Sequence, residues 1–262
     1  MTDRIAIITG GGSGIGRATA LLLAKSGYKV AVCGRREEPL NATVRKIEAL
    51  GAKGMATICD VRKPEQVEQM FRDVTERFGA IDTLVNNAGG QFPAHAEQIT
   101  PGGWNAVLST NLSGTFFCCQ TFARLARERG GGGVITNMTI PWYSRGCPGL
   151  SHAVAARAGV VALTKSLAVE WAPLQLRVNC IAPGMVATDG LVSEELNGDA
   201  AGLDKLVQSV PIGRCASAKE IAGVIGFMVS DSASYITGHT LVVDGGLTLG
   251  AGVDFTTFLA AQ

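Results

Sequence analysis

Short apolar runs alternate with segments of helical period along almost the whole chain. The runs at residues 4–9, 29–34, 54–59, 83–86, 133–137, 176–181 and 240–243 are rich in Val, Ile and Leu and too short for helices, so they predict strands. Between them, residues 14–26, 38–50, 64–78, 103–129, 152–171 and 218–229 repeat apolar positions every three to four residues and predict amphipathic helices. Strands that are apolar throughout, each followed by a helix, belong to a parallel sheet covered on both faces. The expected fold class is therefore α/β: a single doubly wound, Rossmann-type domain with a seven-stranded parallel sheet and helices on both faces.

Two stretches interrupt the alternation. The glycine run 130–133 reads as a loose turn from helix to strand. Residues 185–212 follow a strand end and have weak periodicity. Ligands of open α/β sheets sit beyond the carboxyl ends of strands, so this insertion is expected to be a substrate lid. No repeat or linker divides the chain, and residues 1–262 are read as one domain.

The turn after the first strand carries the first chemistry. In Thr9-Gly10-Gly11-Gly12-Ser13-Gly14-Ile15-Gly16, glycines allow a tight turn and let the backbone approach a pyrophosphate at a helix N-terminus. The second strand ends Cys33-Gly34-Arg35-Arg36, with glycine where an NAD site usually offers an acid. Arg35 and Arg36 suit a 2′-phosphate, which a guanidinium holds by charge-assisted bonds. NADP(H) is the cofactor this pattern predicts.

Composition narrows the partners. A net charge of +1 offers nothing that would draw the chain to nucleic acid or an anionic membrane. The seven cysteines lack metal-ligand spacing and read as reduced, mostly buried thiols, so no metal site is expected and the cytoplasm is the expected location. Residues 5–8 are expected to enter a strand directly, without a charged-then-apolar leader pattern, and Lys165 and Glu170 interrupt the most apolar long segment.

The order of motifs resembles the short-chain dehydrogenase/reductase family over nearly the whole chain. The spacing Thr9-Gly10-x-x-x-Gly14-x-Gly16 is similar to that family's glycine motif, in which Ser13 and Ile15 also meet the cofactor. Asp60-Val61 resembles its adenine-contacting pair, and Asn86-Asn87-Ala88-Gly89 the motif ending its fourth strand. Asn111 resembles the asparagine that holds a water in a proton relay. Arg177-Val178-Asn179-Cys180-Ile181-Ala182-Pro183-Gly184 resembles the strand and turn against the nicotinamide, with Val186 and Thr188 following. Asp244-Gly245-Gly246 fits the C-terminal end.

That resemblance implies a tyrosine and, four residues later, a lysine on one helix face, where the lysine lowers the tyrosine pKa. Here those positions fall on Ala153 and Arg157, and the family serine falls on Ile140 or its neighbour Thr139. Arg157 can donate to ribose hydroxyls and stabilise an anion, but it does not exchange protons at neutral pH. The run from His152 to Val160 resembles the peroxisomal trans-2-enoyl-CoA reductases, with dienoyl-CoA reductases a related branch. In the latter, a tyrosine from the loop after the fifth strand acts with the mid-helix asparagine. Tyr143 stands in that loop, so the resemblance implies Tyr143 as proton donor, with Asn111 helping to hold a developing enolate. His152 is a candidate substitute acid, although one helical step turns it about 100° from position 153. Trp142 and Phe92 are candidates for an acyl channel or for core packing. Arg124, Arg127, Arg129 and Arg145 are candidates for contact with a CoA carrier.

The reading is an NADPH-dependent reductase of the carbon–carbon double bond of an enoyl thioester. The alternatives are a carbonyl reductase with a non-standard acid, and a catalytically silent NADP-binding subunit. The resemblance also implies a homotetramer.

Overall fold

The computed structural model describes residues 4–188 and 207–250. At its centre lie the strands β1 (Ile5–Thr9), β2 (Lys29–Gly34), β3 (Gly54–Ile58), β4 (Thr83–Asn86), β5 (Gly133–Met138), β6 (Leu176–Pro183) and β9 (Thr240–Val243). They form a seven-stranded, wholly parallel sheet in the order β3-β2-β1-β4-β5-β6-β9. A separate two-stranded pair, β7 (Val186–Ala187) and β8 (Ala216–Ser217), ties the start of the expected lid to residues just beyond its end. Residues 189–206 of that lid lie outside the described residues.

Every residue of β1 is buried because both faces of the sheet are covered. Successive side chains point to opposite faces. Ile5 and Ile7 join a core with α3 (Pro64–Phe78), α5 (Gly114–Glu128) and α6 (Ser151–Glu170), whereas Ala6 and Ile8 join one with α1 (Gly14–Lys25), α2 (Glu37–Glu48) and α7 (Ala218–Val229). The doubly wound architecture follows from these two clusters.

The helix expected over 103–129 is interrupted. Pro101–Leu108 forms α4, whose Thr100 hydroxyl caps it by accepting from the Gly103 N–H at 3.1 Å. Ser109–Ser113 then makes a π-helical turn before α5 begins. No Pro stands within that turn to announce it in the sequence. Gly114 follows it so closely packed that a Cβ there would sit 2.7 Å from Val61 Cγ2. The extra residue per turn places Asn111, at its centre, fully inside the protein.

Helix α6 is long and apolar enough to cross a membrane by length and composition, despite Lys165 and Glu170. Half of it is buried, however, and it packs on β5, β6 and α4 as a core helix.

A buried polar ladder joins the strand ends to the helices. Asn86 Nδ2 donates to Asn137 Oδ1 at 2.9 Å and to Cys119 Sγ at 3.2 Å, while Asn137 Nδ2 donates to Thr164 Oγ1 at 3.0 Å. Removing one member strands its partners away from water. Asn137→Leu is expected to lower unfolding stability by about 1–3 kcal/mol. Urea unfolding measures this, and an unchanged midpoint would show the ladder to be energetically silent.

Candidate active site

The strand order reverses between β1 and β4, which opens a crevice beyond the carboxyl ends of the strands. A cleft of about 630 Å³ runs there, and the β1–α1 turn forms its floor. Gly10 and Gly14 have φ of +66° and +49°, conformations that L side chains rarely adopt. A Cβ on Gly16 would lie 2.3 Å from the Gly10 carbonyl oxygen. Ser13 caps α1 without a side-chain bond to it, and the first turn of α1 holds no acidic residue. The free N–H groups and positive dipole end of α1 thus face the cleft unneutralised.

Thr9 pins this floor to the end of β4. Its hydroxyl accepts from Asn87 N at 3.0 Å and Ala88 N at 2.9 Å, and Asn87 Nδ2 donates to the Thr9 and Gly10 carbonyls. At the far end of the cleft stand Arg35 and Arg36, both exposed, with Asp60 and Val61. Arg17 and Arg62 also line the cleft. Arg17 donates to the Gly12 carbonyl. Arg62 chelates the Asp60 carboxylate, with Nη2–Oδ2 at 2.5 Å, and holds that carboxyl below its usual range.

The other end of the cleft continues into an inner cavity of about 220 Å³. Thr139, Ile140, Trp142, Arg157, Pro183, Gly184, Met185 and Val186 are among its walls, and Ile15, Asn87, Gly89 and Thr188 line both it and the cleft. Arg157 is its charged group. The side chain is buried, its Nη1 donates to the Met138 carbonyl at 2.7 Å, and its Nε has no partner. No carboxylate among the described residues pairs with it. Burial pushes the guanidinium down to about 10, which still leaves it protonated at neutral pH. Gly89 is the counterpart of this arginine, since a Cβ there would meet Arg157 Nη2 at 2.0 Å. Thr139 donates its hydroxyl to the Arg157 carbonyl at 2.9 Å, fastening the end of β5 to α6.

Two expected roles do not match this geometry. Tyr143 is not among the residues lining the cavity; it packs with the Val160, Val161 and Cys180 cluster. The reason is local: Pro141–Ser144 is a single 3₁₀ turn, in which neighbouring side chains diverge by about 120°. Trp142 faces the cavity, so Tyr143 does not. Asn111 is likewise committed elsewhere. Its Nδ2 donates to the Gly90 and Val107 carbonyls at 2.8 and 2.9 Å, and its Oδ1 accepts from Gly90 N at 3.2 Å. With both amide donors used, Asn111 positions the 89–90 turn and has no side-chain donor left for a substrate oxygen.

The other candidates separate in the same way. His152 is buried, packs edge-on against Phe92 at 4.5 Å and lies outside the cavity; burial lowers its pKa. Arg124 pairs with Glu68, and Arg129 donates to the Ile81 and Gly132 carbonyls at the opposite end of the sheet from the cleft. Arg145 donates to the Thr248 carbonyl at 2.7 Å. Tyr28 is buried beside Arg4 and Tyr235 is fully exposed, so none of the three tyrosines reaches the cavity.

Comparison with known proteins places this geometry. A family model described as enoyl-(acyl carrier protein) reductase matches residues 10–248. A Bacillus subtilis (strain 168) protein named probable 2,4-dienoyl-CoA reductase, (2E)-enoyl-CoA-producing, is 40% identical over 247 residues, covering 94% of this chain and 97% of its own. The chain belongs to the short-chain dehydrogenase/reductase family. A 3-oxoacyl-(acyl-carrier-protein) reductase FabG of Staphylococcus epidermidis is 37% identical, covering 94% of this chain and 99% of the relative. The crystal structure of a variant actinorhodin polyketide ketoreductase with NADPH superposes with a TM-score of 0.88 at 32% identity, covering 94% of this chain and 97% of the other.

Members of the short-chain dehydrogenase/reductase family are oxidoreductases that bind a nicotinamide cofactor. The residues here fit one: Gly16 leaves backbone-only clearance, α1 offers free N–H groups, and arginines gather at one end. Arg17 and Arg62 were not singled out as site residues from sequence, whereas of the two acyl-channel candidates Trp142 lines the inner cavity and Phe92 does not. Arg17 follows the glycine motif directly and Arg62 lies two residues beyond Asp60, so proximity to a recognised motif is the signal that would have found both.

Proposed function

We propose that this enzyme reduces the carbon–carbon double bond of an enoyl thioester with NADPH. The observation that carries the reading is the inner cavity, where a protonated arginine without a counter-ion stands among walls that, among the described residues, include no Tyr, His, Lys or Cys. When bound, the cofactor supplies a hydride equivalent to the substrate carbon. Addition at the β-carbon leaves negative charge on the thioester oxygen as an enolate. Arg157 stabilises that charge from a buried position, where Coulomb attraction is less screened than in bulk water, and it does so without exchanging a proton. The Met138 carbonyl holds its guanidinium, Thr139 holds its backbone, and Gly89 leaves the space it fills. The α-carbon of the enolate takes its proton from water, so no side-chain acid is required. A ketone would instead need a proton delivered to oxygen, and the described walls of the cavity present no group with a suitable pKa.

The test is NADPH consumption with trans-2-enoyl-CoA, 2,4-dienoyl-CoA and 3-oxoacyl-CoA esters side by side. Turnover confined to the 3-oxoacyl esters would replace this reading by carbonyl reduction, which the FabG relatives favour. No turnover with any ester, despite tight NADPH binding, would leave a silent subunit. Tyr143→Phe is expected to retain enoyl turnover within about threefold, and a hundredfold loss would restore Tyr143 as the acid. The pH profile carries a further sign. Arg157 stays protonated below about 10, so kcat is expected to be flat from roughly pH 6 to 9. A bell centred near neutrality would reveal an acid–base pair.

Preference for NADPH belongs to the same reading, supported by Arg35, Arg36, Arg17 and Arg62 around the far end of the cleft. Replacing Arg35 and Arg36 together by Ser should weaken NADPH binding about ten- to a hundredfold and leave NADH binding within about threefold. Equal losses for both cofactors, in a fluorescence titration, would contradict it. Seven free cysteines suit a reducing compartment such as the cytoplasm. Assembly as a homotetramer is supported by apolar side chains exposed on α6, α7 and the edge strand β9, namely Val169, Phe227 and Val242. A monomer in sedimentation equilibrium would exclude it.

A further inference from the structure

Trp142 occupies an unusual place. It stands on the 3₁₀ turn after β5, half-buried, and shares the walls of the inner cavity with Arg157. The same side chain packs against two separate apolar clusters. One contains Val107, Ile140, Ala153 and Ala156; the other contains Met185 and Val210, with Cys215 and Leu247 against them. The indole therefore packs between the Ala153 cluster and the Met185–Val210 cluster, standing beside Met185 in the cavity wall and in front of Val210. Ala153 belongs to the first cluster, and its small side chain leaves room for the indole on that side.

The volume makes this placement consequential. At about 220 Å³ the inner cavity falls below the roughly 300–1,000 Å³ common for pockets that enclose a whole drug-sized ligand. Trp142, Ile140 and Met185 supply much of its apolar wall, so the indole bounds the space open to an acyl chain on that side. Val210, Cys215 and Leu247, which are not among the cavity walls, pack with Met185 in the cluster that the indole covers.

We propose that Trp142 sets the acyl-chain length of the substrate, confining the enzyme to short-chain enoyl thioesters; this rests on the thioester reading above. Trp142 is a specificity-determining wall. Replacing it by Ala joins the cavity to the Met185–Val210 cluster. Each further methylene buried there is worth roughly fourfold in binding.

The experiment uses the full chain with NADPH. It compares crotonyl-, octenoyl- and dodecenoyl-CoA in the parent, Trp142→Phe and Trp142→Ala, and runs 3-oxoacyl-CoA esters of the same lengths in parallel. Binding of butanoyl- and dodecanoyl-CoA to the enzyme–NADP⁺ complex is measured by calorimetry on the same samples. The parent should favour crotonyl over dodecenoyl by about a hundredfold or more in kcat/KM. Trp142→Ala should shift that ratio by at least about a hundredfold towards the long ester, with Trp142→Phe between them. The same shift should appear in dodecanoyl-CoA affinity, a readout independent of turnover. A length ratio unmoved by Trp142→Ala, in kinetics and in calorimetry alike, overturns the proposal. Consumption of 3-oxoacyl esters alone would overturn the enoyl reading, while their length ratio still decides the role of Trp142. Failure of the parent and of both variants to bind any acyl-CoA overturns both.

Discussion

Arg157→Met is expected to lower kcat with an enoyl thioester by about a hundred- to a thousandfold, the usual loss when one preorganised oxyanion donor is removed. The same change should leave thermal stability unaltered or raise it. Arg157 is a buried cation with no carboxylate partner among the described residues and an unpaired Nε, so folding bears its desolvation with little return. A methionine of similar length fills the space without that cost. Arg157→Lys keeps the charge but loses the planar fork, and should fall between the two in kcat. This divergence is what separates an anion-stabilising residue from a structural one. If Arg157→Met lowered the unfolding midpoint steeply while the surviving protein turned over normally, Arg157 would be a packing residue. Steady-state kinetics and a thermal melt on the same samples decide between them.

The second large effect is on cofactor binding. Gly16→Ala places a methyl 2.3 Å from the Gly10 carbonyl oxygen and 2.6 Å from Asn87 Nδ2, where ordinary contact begins near 3.4 Å. Neither neighbour is free to yield. Asn87 is bonded through Nδ2 to the Thr9 and Gly10 carbonyls, and its N–H is bonded to the Thr9 hydroxyl. The β1–α1 turn must therefore lift by about 1 Å, displacing the backbone that would face a pyrophosphate. NADPH affinity should fall by about a hundredfold or more, which corresponds to about 2.7 kcal/mol. The overpacking should also destabilise the fold by about 1–3 kcal/mol. A fluorescence titration showing NADPH affinity within threefold of the parent would mean that the turn is not the cofactor cradle.

The framework of the protein is legible from hydrophobic period. Strands Lys29–Gly34, Thr83–Asn86 and Thr240–Val243 and helices Pro64–Phe78 and Ala218–Val229 fall within the bounds their apolar patterns predict. Each is flanked by a change of period or by turn residues, and each buries a continuous face. The glycine turn and Arg35–Arg36 were legible for a similar reason, because backbone clearance and net charge are properties of residue types. The π turn at Ser109–Ser113 was not. Its residues suit an ordinary helix, and the bulge is supported by Asn111 bonding across to Gly90, on a segment twenty-one residues away.

The sequence by itself determined the parallel, doubly wound sheet, the tight glycine turn after β1, and the absence of a tyrosine from α6. Tertiary structure alone decided which residues meet at the reacting end. Trp142 and Tyr143 are neighbours of similar character, and the phase of one 3₁₀ turn sends the first into the cavity and the second into a packed cluster. Asn111 and Arg157 could each donate to a substrate, yet Asn111's donors are consumed by the Gly90 and Val107 carbonyls, whereas Arg157 is left buried and without a counter-ion among the described residues. Residue type sets what a side chain can do; the hydrogen bonds already taken around it set what remains for it to do.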